Sequence, residues 1–236
     1  MKKLSAYLIL ILLLGTQGVF AQRRLNKKLV NQPKYDYKIL HFGFELGINY
    51  IDFNIDQVED LQNIPGLYGI ESKSQPGFTL LLISDLRLSN HLNLRFTPGI
   101  SYTQRDMHFR LYDPVTGYYE RSKTVESTFI EFPFYLKFKS VRLGNGRSYV
   151  FGGAKYMIDM ASQEKVDDPD LFRVKRHDFS YEVGWGVDIY FEYFKFSPQI
   201  KATFGVNDVL VTDGTIFTEG IEALSTRAFM VSFCFE

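Results

Sequence analysis

The sequence predicts an all-β fold: an eight-stranded antiparallel up-and-down transmembrane β-barrel. Three observations carry this. Eight segments alternate apolar and polar residues, most of them run well past ordinary strand length, and the stretches between them are alternately long and short. Period-two alternation places each residue type on one face of a pleated strand. Soluble strands average about five or six residues, whereas about nine to eleven at a steep tilt cross a bilayer.

The N-terminal elements give an address. Lys2 and Lys3 precede an apolar run at 4–14, and 15–21 closes small and polar with Val19-Phe20-Ala21. This is the layout of a secretory signal peptide over 1–21, with cleavage before Gln22. The run is shorter than the ~20 residues a spanning helix requires. No cysteine follows it, so no lipid anchor is expected. Residues 22–38 carry Arg23, Arg24, Lys27, Lys28, Lys34 and Lys38 against Asp36 alone, with no helical or strand period. They are expected to form a flexible basic periplasmic tail. Arg23, Arg24, Lys27 and Lys28 are its docking positions for an acidic partner or anionic lipid.

The barrel is expected over 39–236. Phe42, Phe44, Leu46, Ile48 and Tyr50 oppose His41, Gly43, Glu45, Gly47 and Asn49. A less regular run follows at 78–88. Leu92, Leu94, Phe96, Pro98, Ile100 and Tyr102 form the third apolar face, and Ile130, Phe132, Phe134, Leu136 and Phe138 the fourth. The fifth run, 148–160, also alternates loosely. Tyr181, Val183, Trp185, Val187 and Ile189 mark the sixth. Phe196, Pro198, Ile200, Ala202, Phe204 and Val206 mark the seventh, and Phe229, Val231, Phe233 and Phe235 the eighth. Pro98 and Pro198 each remove a ladder donor, so bulges or strand ends are expected there. Long connections fall at 52–75, 106–122, 161–177 and 207–225, with short turns between them. Outer-membrane barrels have long external loops and short periplasmic turns, so both termini are expected in the periplasm.

Alternation alone does not say which face is outside; a soluble lipocalin-like barrel has its apolar face within. The composition of the polar face favours the inverted arrangement. It holds Gly43, Gly47, Gly99, Gly184, Gly186 and Gly205, which suit a crowded interior. It balances five acids (Glu45, Asp85, Glu131, Glu182, Asp188) against five bases (Arg87, Arg95, Lys137, Lys195, Lys201). Aromatics near strand ends (Tyr50, Tyr102, Phe138, Tyr190, Phe191, Tyr193, Phe235) resemble interfacial girdles in outer-membrane lipid. Unpaired buried charges are costly, so the ten ionic residues are expected to pair into a structural network in the lumen. Tyr135 and Tyr149 are expected to point inward, and the lone Cys234 to be a buried thiol.

Zero formal net charge argues against a nucleic-acid partner. His41, His91, His108 and His177 have no metal spacing, Asp167-Asp168-x-Asp170 lacks the other positions of a calcium loop, and no serine sits in a G-x-S-x-G elbow. No catalytic residues, metal or cofactor are expected, and the protein is not expected to be an enzyme.

Pro33-Lys34-Tyr35-Asp36, followed by His41-Phe42-Gly43-Phe44-x-Leu46-Gly47-x-Asn49, resembles the PorT family of outer-membrane β-barrel proteins. So do Phe129-Ile130-Glu131-Phe132-Pro133-Phe134-Tyr135-Leu136-Lys137, Phe196-Ser197-Pro198-Gln199-Ile200-Lys201 and Gly205-x-Asn207. The final Phe235-Glu236 departs from the terminal aromatic usual in such barrels. The resemblance implies an outer-membrane component of the type IX secretion system, which exports cargo bearing a C-terminal signal and, in gliding bacteria, surface adhesins. Other secretion subunits are the implied partners, with cargo contacted indirectly. Eight strands close around an interior that side chains fill, whereas aqueous channels need about sixteen. The expected role is therefore accessory or scaffold rather than conduit. The alternative is a stand-alone barrel for envelope integrity, adhesion or small-solute passage.

Overall fold

In the computed structural model the described residues are 30–58, 66–164, 172–212 and 215–236. The signal-peptide residues and Arg23, Arg24, Lys27 and Lys28 lie outside them, as does the 167–170 acidic run. Residues 31–236 form one compact unit. Its strands are β1 (Leu40–Gln57), β2 (Leu67–Ser74), β3 (Pro76–Arg87), β4 (Leu92–Phe96), β5 (Gly99–Asp113), β6 (Gly117–Lys139), β7 (Gly146–Asp159), β8 (His177–Tyr190), β9 (Lys195–Gly205) and β10 (Ile221–Phe235).

β2 and β3 continue one another along β5, as β4 and β5 do along β6, so the ten segments make eight staves. All pairings are antiparallel, and β1 closes the ring by pairing with both β10 and β3. Closure satisfies the backbone groups within the sheet, as hydrocarbon requires.

The two prolines act differently from each other. Pro98 falls in the break between β4 and β5. Register is unchanged across it, with Ser84 opposite Phe96 and Leu81 opposite Gly99. Pro198 sits inside β9, without a bulge, and pairs with Phe233. Its missing donor shows only in the ladder to β8, which skips from Gly186–Gln199 to Ile189–Phe196.

The side-chain faces are arranged as the inverted barrel requires. Phe42, Phe44, Leu46, Ile48 and Tyr50 all face outward and are exposed, and so do Phe134, Leu136 and Phe138. Glu45, Asn49, Glu131, Lys137, Glu182 and Asp188 are buried within. From Leu40 to Tyr50 the outward face is apolar. At about 3.3 Å per residue and a 40–45° tilt, those ten steps rise about 24 Å, close to the ~25 Å band of outer-membrane barrels.

The strands are longer than the alternation indicated. β6 has 23 residues, and β5 and β6 meet in a turn at 113–117. Most of the expected 106–122 loop is therefore strand, and β1, β2 and β10 likewise extend into the expected 52–75 and 207–225 loops. Beyond the apolar band the parity inverts. Ile51, Phe53, Met107, Phe109, Leu111 and Val125 point inward and are buried. There the outer face meets water, so the apolar side turns to the interior, as in a soluble barrel. All of these but Ile51 join Leu67, Ile70, Phe172, Val174, Val209, Leu210, Phe217, Ile221 and Leu224 in an apolar cap over the long-loop mouth.

Candidate functional site

The lumen is the feature in which sequence and structure concentrate chemistry. It is built in tiers from the short-turn end upward.

The lowest tier begins with the chain before β1. Residues 31–38 are not free tail. They form a strap ending in a 3₁₀ turn at Tyr35–Tyr37. Asn31 donates through its backbone N to Asn145 Oδ1 at 2.8 Å and through Nδ2 to the Tyr190 carbonyl at 3.0 Å. Tyr35 stacks on His41 with ring centroids 4.1 Å apart and donates to Glu236 at 3.1 Å. Asp36 lies 3.1 Å from the Arg147 guanidinium and 3.3 Å from that of Arg142, and accepts from Tyr190 Oη at 3.2 Å. The basic composition of 22–38 suggested a solvated segment, but the strap is held through its single acid. Tyr190, expected in the aromatic girdle, is 1% exposed because its hydroxyl turns inward to this cluster.

Partial burial would raise the Asp36 carboxyl pKa. The facing Arg147 and Arg142 and the Tyr190 hydrogen bond outweigh burial and hold it below the ordinary range. A depressed folded-state pKa contributes stability above the unfolded value, about pH 4, that is lost as pH falls through the lowered one. Asp36→Asn is therefore expected to release the strap at neutral pH. Limited proteolysis of the reconstituted barrel should cut within 31–37 in the variant at pH 7, and in the native protein only in acid.

Above the strap, Arg95 lies 2.5 Å from Asp85 and 2.7 Å from Glu236, and Lys195 lies 2.8 Å from the same Glu236. Asp85 also accepts from Asn93. Lys137 pairs with Asp188 at 3.0 Å, and Asp188 also faces Arg147 at 3.4 Å and accepts from Ser197 at 2.8 Å. Glu236 thus supplies a fully buried carboxylate between two cations.

An aromatic tier follows, formed by Tyr135, Tyr149 and Phe151. Lys137 Nζ lies 3.6 Å from the Tyr149 ring centroid, and Tyr149 donates to Gln199 at 2.9 Å. Gly186 and Gly184 stand directly opposite Tyr149 and Phe151, and a Cβ at either would collide with the facing ring. These two glycines make room for the rings that fill the barrel at this level.

The middle tier holds Lys201 at 2.5 Å from Glu45 and 3.5 Å from Glu182, and Lys155 at 3.0 Å from Glu182 and 3.5 Å from Glu131. Glu182 also accepts from Tyr135 Oη at 2.7 Å and Thr203 Oγ1 at 2.9 Å. Higher still, Asn49 donates to Thr79 at 2.7 Å, and Thr79 exchanges a 2.7 Å hydrogen bond with Ser101. Ile51, Phe129, Met157 and Ala228 cluster above, where Arg105 sits 4.0 Å from the Phe53 ring centroid beneath the apolar cap.

Nine of the ten predicted ionic residues enter this network. Arg87 does not: it lies at the end of β3 and donates to Asn90 in the adjoining short turn. Lys155, Arg147, Asp36 and Glu236 were missed. Lys155 lies on the irregular fifth run, where Gly152, Gly153 and Ala154 blur the alternation. Cys234 is buried as expected.

Chemically, the arrangement is a sequence of paired charges, hydrogen bonds and rings that occupies the lumen level by level. It links the eight staves across the lumen.

The family comparison agrees with this architecture. The family model described as outer membrane protein beta-barrel domain matches residues 20–211. No curated protein matches the chain. Among solved structures, Neisserial surface protein A aligns over 84% of this chain and 98% of its own, at 8% identity and TM-score 0.44. The Pseudomonas aeruginosa outer membrane protein OprG aligns over 84% and 95%, at 11% identity and TM-score 0.44. The N-terminal β-barrel domain of P. aeruginosa OprF aligns over 80% and 96%, at 11% identity and TM-score 0.35. With the family model covering most of its length and its strands closed into an apolar-faced ring, this chain belongs to the outer-membrane protein β-barrel domain family and is an integral outer-membrane protein.

Proposed function

We propose that this barrel is an outer-membrane subunit of the type IX secretion system, needed for export of C-terminally tagged cargo and acting as an accessory or scaffold rather than the conduit. The observation that carries the scaffold role is the filled lumen, with Glu182, Lys155 and Lys201 paired across its middle and an apolar cap above. A barrel occupied in this way works through its exterior: the lipid-facing wall, the long-loop extensions and the strap end. The secretion role is supported by the motifs shared with the PorT family at 33–49, 129–137 and 196–207. In the proposed orientation the strap and short turns face the periplasm and the β5–β6 hairpin projects outward.

Deleting the gene tests this. Tagged cargo should accumulate in the periplasm and return to the surface on complementation. Normal export from the deletion strain would overturn the proposal; normal export with altered detergent sensitivity would point instead to a stand-alone envelope barrel.

A further inference from the structure

We propose that the outer wall of β8, β9 and β10 carries a binding site for a phosphorylated, acylated lipid, with Arg227 taking the phosphate and a trough over Ala202 taking an acyl chain. The inference rests on membrane insertion and is independent of the secretion role.

Two depressions carry it. One, of about 410 Å³, is lined by the outward side chains of Val150, Val183, Trp185, Ile200, Ala202 and Phe229. The other, of about 360 Å³, is lined by Asn54, Tyr181, Phe204, Ser225 and Arg227. They are contiguous by register. Arg227, Phe204 and Tyr181 stand side by side across the three strands. One outward step toward the short-turn end come Phe229, Ala202 and Val183, with Gly152 beyond. A second step brings Val231, Ile200, Trp185 and Val150. Each step along one face is about 6.6 Å. The trough exists because Ala202 is small among large neighbours. Everything that lines it from the outside is apolar, as a hydrocarbon chain requires.

Its upper end is polar and positive. Arg227 is exposed and makes no ion pair among the described residues. Its cross-strand neighbour Asp52 instead accepts from Ser72 Oγ and from the Phe53 backbone N. A guanidinium presents a planar fork that matches phosphate oxygens. Asn54, Ser225 and the Tyr181 hydroxyl beside it are groups that hydrogen-bond a glycerol or sugar headgroup. The cation lies where the apolar band gives way to polar residues, at the long-loop end, the depth at which lipid phosphates lie. One amphiphile thus meets a complementary charge and a complementary trough in the right order.

The only tryptophan of the chain, Trp185, walls the trough and reports its occupant. The experiment uses the full barrel in phosphatidylcholine vesicles containing a small fraction of either brominated-acyl phosphatidic acid or brominated-acyl phosphatidylcholine. The phosphatidic acid should quench Trp185 as though enriched about fivefold over its mole fraction. Arg227→Gln should remove that enrichment while leaving quenching by brominated phosphatidylcholine unchanged. Ala202→Phe, which fills the trough and leaves Arg227 in place, should reduce the enrichment as well. Excess inorganic phosphate should not abolish it. Retained heat-modifiable gel mobility shows that each variant is folded. Equal quenching by the two lipids, meaning bulk boundary lipid only, overturns the proposal. So does an enrichment that survives in Arg227→Gln, or one erased by inorganic phosphate.

Discussion

Replacing Glu182 with leucine is expected to destabilise the barrel by about 3–5 kcal/mol, the range for removing one partner of a buried ion pair. Glu182 is the hub of the middle tier. It holds Lys155 and Lys201 and accepts hydrogen bonds from Tyr135 and Thr203. With its carboxylate gone, Lys155 retains only Glu131 at 3.5 Å, and the two hydroxyls lose their acceptor. The charges are enclosed by protein, so water does not compensate. Urea unfolding of the barrel from vesicles measures the loss. Removing Lys155 together with Glu182, as the Lys155→Met double variant, should recover part of it, because the orphaned cation is then absent. A loss under about 1 kcal/mol, typical of a solvated surface pair, would mean that the lumen is hydrated rather than packed.

The second large effect concerns the opposite face. Leu46 lies near the middle of the outward apolar run of β1, between Phe233 of β10 and Leu80 of β3. Leu46→Arg should cost about 2–4 kcal/mol in a bilayer, the range for a lipid-facing cation near the midplane of a barrel. The control is Ser122→Arg, on the exposed part of β6 beyond the band. There water meets the side chain, and the change should fall within about 0.5 kcal/mol. A soluble barrel would tolerate the two alike, so the difference between them measures the depth of the wall in lipid.

The wall itself was legible in the sequence. Alternation such as Phe42, Phe44, Leu46, Ile48, Tyr50 fixes both strand and face, and the position of the ionic residues opposite it decides which side is lipid. Nine of the charges in the lumen followed from the same parity. What lay hidden was set by distance along the chain. Glu236 and Asp36 find their cations only because ring closure brings both ends of the barrel sequence to the short-turn mouth. No local pattern announces that Asp36 would meet Arg142 and Arg147. The long strand extensions did leave a signal. In β1 the apolar residues switch from even to odd at Tyr50, continuing as Ile51 and Phe53. In β5 they switch after Tyr102, continuing as Met107, Phe109 and Leu111. That inversion is what one continuous strand must show on leaving hydrocarbon for water, and it separates a strand that continues from a loop that begins. Arg87 fails for a related reason: it keeps the strand's spacing but sits where the stave meets its turn, so its side chain goes to Asn90 instead of the lumen.

The central claim is that the outward side chains of 42–50 lie in hydrocarbon and that those beyond lie in water. It is tested most directly by placing single nitroxide labels in turn at Phe42, Phe44, Leu46, Ile48, Tyr50, Asp52 and Asn54 of the reconstituted barrel, with Cys234 replaced by serine. Accessibility to oxygen should rise to a maximum near Leu46, and accessibility to a water-soluble nickel chelate should appear only at Asp52 and Asn54. Uniform access of the nickel chelate from 42 through 50 would contradict the account.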